Sequence, residues 1–319
     1  MKLPNRVSVS PEALLAIAAR HGLGKRAMTP INEMGIVNTV YLLGDDMLLR
    51  VPRDHPAHIA QAEVEAVAIP AARAAGVRTP GLVAYDNSGD FLPVPYLIVE
   101  RVHGVALGRL DLEPGATPDV WRELGRDLAL LHIGVDQEGP AGKVARAQAP
   151  PDPRELVEKR GADGWFTGLE ARWLGAWLER LAPAASSATA DRFLHLDVQA
   201  TNVMVRSGSL DYLAILDWGC AGWGDPAWDF FGLPLRAAPF LLDGHREVAP
   251  LDGDDTAEAR ILWRHLQCSL SVLPRGAAPG LSWGERPLAW LLELLHFFLE
   301  PPPGRWRELA PATSLQRAN

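Results

Sequence analysis

Cysteine is scarce in this chain: Cys220 and Cys268 are the only two in 319 residues. Neither belongs to a Cys-x-x-Cys pair, and positions so far apart frame no disulfide scaffold. Such usage fits a reducing cytoplasm, where the chain is expected to work. Long apolar runs are missing too. The most apolar stretch, Pro287 to Leu299, carries Glu293 and His296 inside it and is too short to span a bilayer, so it reads as a core helix. The N-terminal MKLPNRVSVSPEAL has no apolar h-region, and no signal peptide is expected there. Positive charge is in deficit, with 31 Lys and Arg against 39 Asp and Glu and a net charge of −8. That excludes a non-specific nucleic-acid surface, which needs a basic face. It keeps the chain soluble and leans toward a cationic partner. Internal repeats and low-complexity tracts are absent as well.

What is present is enough hydrophobic residue, 48%, for more than one core. Two lobes are therefore expected, the first ending near residue 101. Ser10-Pro11-Glu12 opens a helix by capping, first-turn proline and an acid at the dipole's positive end. Short strands are predicted over 27–33, 39–43 and 47–51. A helix over 58–75 holds Pro70, which is expected to kink or end it. Strands over 81–85 and 96–100 follow. Beyond Val102 the spacing turns helical: a helix from Thr117-Pro118 to His132, a loop over 134–151, capping boxes at Asp152/Glu155 and Thr167/Glu170, and late helices over 256–272 and 287–299.

Chemistry concentrates in residues 191–230. His195-x-Asp197-x-x-x-x-Asn202 precedes a predicted hairpin, Val203–Val205 and Tyr212–Leu216, and Asp217 ends it. Acidic and amide groups thus stand at both mouths of one hairpin. Phosphoryl transfer needs such a set, because its transition state is stabilised by positioning and by neutralising charge. Magnesium takes hard oxygen ligands, which Asn202 and Asp217 supply. Asp197, free of the metal, can accept the proton of an attacking hydroxyl. His195 holds the loop by hydrogen bonds.

These residues resemble the catalytic core of the aminoglycoside phosphotransferase family, which is related to choline and homoserine kinases within the protein-kinase-like fold. His195 to Asn202 is similar to its H-G-D-x-H/Q-x-x-N loop, with Leu196 in place of the glycine. Ile215-Leu216-Asp217-Trp218 is similar to its metal motif, and Gly224-Asp225-Pro226-Ala227-Trp228-Asp229 to its G-D-P-x-x-D stretch. The resemblance implies an α+β, two-lobed fold: an antiparallel-sheet lobe that binds nucleotide, over 1–101, and a mostly helical lobe with the catalytic hairpin and acceptor site, over 102–319. It implies Asp197 as base, Asn202 and Asp217 as magnesium ligands, and ATP or GTP as phosphate donor to a hydroxyl of an antibiotic or metabolite. Gly35 and Asn38 resemble the nucleotide loop. Arg50 resembles the basic residue that touches the α- and β-phosphates, although the family has lysine there. Its ion-pair partner is Glu65 or Glu63. Glu100 and Val102 belong to the hinge that receives the base through backbone groups. Asp225 and Asp229 either hold the catalytic region together or line an acidic acceptor pocket.

Other motifs fail in context. Gly22-Leu23-Gly24-Lys25-Arg26-Ala27 follows a helix rather than a strand, so it is no dinucleotide loop. Gly280-Leu281-Ser282-Trp283-Gly284 has no preceding strand and no later Asp; Ser282 and Glu285 suit a helix cap instead. His55 and His58 have no further ligands beside them for zinc. An alternative of another class is a catalytically quiet nucleotide-binding protein of the same fold, motivated by Arg50.

Overall fold

The computed structural model describes residues 5–24, 28–30, 37–185, 187, 191–276, 286–300 and 302–312. Helix α1 (Pro11–Arg20) begins where the Ser10 hydroxyl accepts the Ala13 N–H at 3.1 Å. Pro11 suits the first turn, where its missing N–H would have no helical partner. Five strands follow: β1 (Met28–Pro30), β2 (Asn38–Leu43), β3 (Met47–Pro52), β4 (Leu82–Asp86) and β5 (Tyr96–Glu100). They form one sheet in the order β1-β2-β3-β5-β4, every pair antiparallel.

Alternation along the strands gives each sheet face its own core. Leu43, Leu49, Val51, Tyr96 and Ile98 pack with Leu14 and Ile17 of α1. Leu97 and Val99 join Ala62 and Ile69 of helix α2 (Pro56–Ala74). Each such apolar side chain stabilises the fold by about 1.5–3 kcal/mol when fully buried. His55 caps α2, its Nδ1 accepting the Ala57 N–H at 3.2 Å. Pro70 lies inside α2 and does not end it; the helix runs on to Ala74.

The rest is mostly helical: α3 (Pro118–Gly134), α4 (Pro153–Ala162), α5 (Gly168–Ala185), α6 (Ala238–Val248), α7 (Ala257–Val272) and α8 (Pro287–Leu299). Short strands carry the loops between them. The antiparallel hairpin β8 (Val203–Val205) and β9 (Tyr212–Ile215) is joined on its outer edge by β6 (Val105–Ala106). Strand β7 (Arg192–Leu194), just before the hairpin, pairs with β10 (Gly222–Gly224), just after it. That pair ties both mouths of the hairpin together, a pairing not anticipated from the sequence.

Helices α3 and α6 meet unusually closely. A Cβ on Gly125 would lie 2.0 Å from the Leu241 carbonyl oxygen, and one on Gly244 2.0 Å from that of Arg122. Only hydrogen fits at both positions, so this crossing requires the two glycines. It brings His132 and His245 into contact beneath the hairpin, Nδ1 to Nε2, at 3.1 Å. Among the described residues no helix is long and apolar enough to cross a membrane.

Candidate active site

The loop from β7 into the hairpin is held from below by one carboxylate. Asp229 is 1% exposed and accepts the backbone N–H groups of His195 at 2.9 Å and Leu196 at 2.7 Å. Its Oδ2 also lies 2.9 Å from Nε2 of His132. Three partners on one buried carboxylate fix the loop where it turns. The turn itself is left-handed, with Leu196 at φ 62°. That conformation costs a non-glycine residue about 1–2 kcal/mol. His195 is fully buried; its Nδ1 accepts the Asp197 N–H at 3.2 Å, which leaves Nε2 to donate to the Leu216 carbonyl at 3.0 Å. One ring thus joins the two mouths of the hairpin.

Asp197 follows directly. Its Oδ1 accepts from Gln199 Nε2 at 2.5 Å and its Oδ2 from Asn202 Nδ2 at 3.0 Å. Burial raises its pKa, and the neighbouring Asp217 charge adds to that, against the lowering effect of Gln199 and Asn202. The side chain is therefore a stronger base than a solvated aspartate. Asn202 Nδ2 also donates to the Asp197 carbonyl at 2.9 Å. With its amide hydrogens committed to Asp197, Asn202 keeps its side-chain oxygen as the ligand atom.

Asp217, across the hairpin, has φ 70°, a second left-handed non-glycine position. Its Oδ1 meets Arg50 Nη2 at 3.0 Å, and the same nitrogen meets Glu65 Oε1 at 2.9 Å. Arg50 of β3 thus bridges α2 to the end of β9, and Glu65 rather than Glu63 is its partner. The two carboxyls are driven apart. Burial pushes Glu65 up to about 8, against the attraction of Arg50. Burial also acts on Asp217, but Arg50 and a hydrogen bond with Glu65 outweigh it and hold Asp217 low. Of the two carboxyls, Asp217 is the one held toward its ionised form by Arg50, and Glu65 the one that burial pushes toward its neutral form.

The remaining expected site residues sit elsewhere. Asn38 begins β2, opposite Pro52, and is 9% exposed. Gly35 lies outside the described residues, as does Ser282. The Glu100 carboxylate turns away from Arg50 to the Gly81 N–H at 2.7 Å and Arg73 at 3.1 Å. Glu100 and Val102 line a recess of about 470 Å³ with Arg73, Arg78 and Leu213. Asp225 accepts the Ala227 N–H at 2.9 Å and pairs with Arg260 at 2.5 Å. Asp225 and Asp229 therefore both serve partners inside the protein. Gln199 on Asp197 and His245 behind His132 are contacts the sequence did not single out. Gln199 stands inside the recognised loop and could have been found there; His245 carries no local signal.

Hard oxygens from Asn202 and Asp217 suit magnesium, which completes its shell with phosphate and water. Among the described residues no group of three or more His, Cys, Asp or Glu stands ready to hold a metal alone.

A family model described as phosphotransferase enzyme family matches residues 29–262. No curated protein matches the chain in sequence. Among solved structures, the GDP complex of aminoglycoside 2'-phosphotransferase-IIIa is 16% identical at a TM-score of 0.61, covering 88% of this chain and 97% of that one. Macrolide 2'-phosphotransferase MphH from Brachybacterium faecium is 24% identical at a TM-score of 0.55, covering 92% and 100%. A choline/ethanolamine kinase family protein from Mesorhizobium loti is 17% identical at 0.57, covering 93% and 97%. At such identities the likeness shows the two-lobed, kinase-like fold.

Proposed function

The chain belongs to the phosphotransferase enzyme family, and from that premise we propose that it moves the γ-phosphate of ATP or GTP onto a hydroxyl of a small molecule, an antibiotic or a metabolite. The observation that carries this is the convergence of Arg50, Glu65 and Asp217 beside Asp197 and Asn202. Residues 1–101 would hold the nucleotide, with Gly35, Asn38 and Arg50 toward the phosphates and the 100–102 backbone toward the base. Residues 102–319 would carry the hairpin and the acceptor. The low cysteine content and an active site without disulfides suit the cytoplasm.

Asp197 takes the proton of the acceptor hydroxyl as that oxygen bonds to the γ-phosphorus. The bond from phosphorus to the β-γ bridging oxygen breaks, and the nucleoside diphosphate leaves with the electron pair. Gln199 and Asn202 hold the Asp197 carboxylate so that it faces one direction throughout. Bound magnesium, held by Asn202, Asp217 and the phosphates, would neutralise charge on the transferring group. Arg50 has Asp217 as its counter-ion, and a phosphate contact to Arg50 would leave the Asp217 carboxylate available as a magnesium ligand. Glu65 then remains to position Arg50. His195 acts on the loop's shape and not on the reacting atoms.

The test is magnesium-dependent release of nucleoside diphosphate, wild type beside Asp197→Ala, over a panel of aminoglycosides, macrolides, amino alcohols and hydroxy acids. Acceptor-stimulated release should appear in the wild type and vanish in the variant, with nucleotide affinity within a few-fold. Nucleotide binding with no stimulation by any acceptor would overturn the kinase reading in favour of a quiet nucleotide-binding protein.

A further inference from the structure

Net charge acts at long range, but the groups packed nearest the reacting centre decide what an acceptor must carry. Helix α7 places Arg264 against the segment that follows Asp225. The side chain is 9% exposed. Its guanidinium lies 5.0 Å from the Trp228 ring centre and 4.6 Å from that of Phe231. Nη1 donates to Gln267 Oε1 at 2.8 Å, and Nε, fully buried, has no partner. No carboxylate among the described residues forms an ion pair with it. Other arginines of this lobe differ: Arg260 pairs with Asp225 at 2.5 Å and Arg236 with Glu293 at 2.9 Å.

Burying a cation without a counter-ion is unfavourable by several kcal/mol, and arginine does not escape by losing its proton. Burial presses its pKa downward, and the charge of Asp225, already paired with Arg260, offsets only part of that. Two aromatic faces and one amide oxygen recover only part of that cost. The position matters as much as the charge. Phe231 is followed by Gly232, where a Cβ would lie 2.8 Å from the Val198 carbonyl and 3.3 Å from Gln199 Cγ. Gln199 in turn grips Asp197. Arg264 is therefore linked to the base through Phe231, Gly232 and Gln199. Trp228 and Phe231 are themselves only half-buried.

We propose that Arg264 binds an oxyanion, a carboxylate or a phosphate, carried by the acceptor, so that the enzyme phosphorylates a hydroxylated acid in preference to an amine. This rests on the kinase reading above. A planar guanidinium receives either anion through paired N–H bonds, and the aromatic rings would pack on the acceptor's carbon skeleton.

The first experiment needs no known acceptor. In protein labelled with ¹⁵N-arginine, the Arg264 Nε–H signal is assigned by its loss in Arg264→Lys. Inorganic phosphate, lactate and lactamide are then titrated into the wild type. Phosphate or lactate should move that signal, and the one that moves it names the anion; lactamide should not. No movement with either anion overturns the proposal, whether or not the protein is a kinase. The second experiment uses nucleoside-diphosphate release with hydroxy acids and their matched amides. The acid should be favoured at least ~10-fold in KM, equivalent to about 1.4 kcal/mol, and Arg264→Gln should collapse that ratio toward one. An equal ratio in the wild type, or one that survives the substitution, sinks the idea. Arg264→Met checks folding: removing an unpaired buried charge should leave the melting temperature equal or higher.

Discussion

Arg50 and Arg264 are both largely withdrawn from water, and their surroundings could hardly differ more. Arg50 meets two carboxyls within 3.0 Å. Arg264 meets two aromatic rings and an amide oxygen. The first guanidinium is already satisfied inside the protein, so in the proposed reaction a phosphate would compete with Asp217 for it. The second is left with a buried N–H unmatched. A cation that the fold satisfies is poised to exchange partners; one that the fold leaves unsatisfied is poised to gain one. In the proposed reaction the same residue type would serve two different ends.

The largest effect should come from breaking the satisfied side. Asp217→Ala removes the counter-ion of Arg50 and, on the proposed function, a carboxylate ligand of magnesium. Loss of one such electrostatic group commonly costs 10²–10³-fold in turnover, about 3–4 kcal/mol. The loss should fall on magnesium-nucleotide affinity as well as on rate, measured by titration calorimetry with and without magnesium. Unaltered affinity would remove Asp217 from the metal site and leave Arg50 as its sole function.

Much of this corner was legible in sequence because it is local. The spacing from His195 to Asn202 and the hairpin ending at Asp217 put the groups together within one supersecondary unit. The N-terminal sheet was legible by alternation and turn residues, with β2, β3 and β5 close to their expected bounds. The Arg50 contact to Asp217 spans 167 positions and could be anticipated only through the family pattern. Arg264 was not legible at all. On α7 it falls on the buried stripe with Ile261 and His265, and a polar residue on such a stripe gives no hint of its partner. The Gly125 and Gly244 crossing was hidden likewise, since a glycine inside a helical pattern does not say which backbone approaches it.

A smaller effect, on stability, should follow from the proton held at Glu65. Its pKa in the folded chain is raised from 4.5 to about 8. Between those values the folded state keeps a proton that the unfolded state has released. The stabilisation is therefore fully present below about pH 4.5 and is lost as pH rises through about 8. The slope for one proton has an upper limit of about 1.4 kcal/mol per pH unit. Glu65→Gln cannot titrate and should flatten that decline when nucleotide-free wild type and variant are melted across this range. Parallel pH profiles would mean that Glu65 is ionised beside Arg50 throughout, making Arg50 doubly paired and sharpening its contrast with Arg264.

The smallest effect tests the backbone that aims the base. Leu196 is held at φ 62°, immediately before Asp197, by the two N–H bonds to Asp229. Leu196→Gly and Leu196→Ala both delete the half-buried side chain, so the packing loss is nearly common to the two. They differ in the left-handed strain, about 1–2 kcal/mol in favour of glycine, and in unfolded-state entropy, about 0.5–1 kcal/mol in favour of alanine. The glycine variant should therefore unfold at a higher denaturant midpoint than the alanine variant, by about 1 kcal/mol or a little less. The reverse order would mean that Asp229 does not impose this turn in solution. The direction of the Asp197 carboxylate would then rest on Gln199 and Asn202 alone.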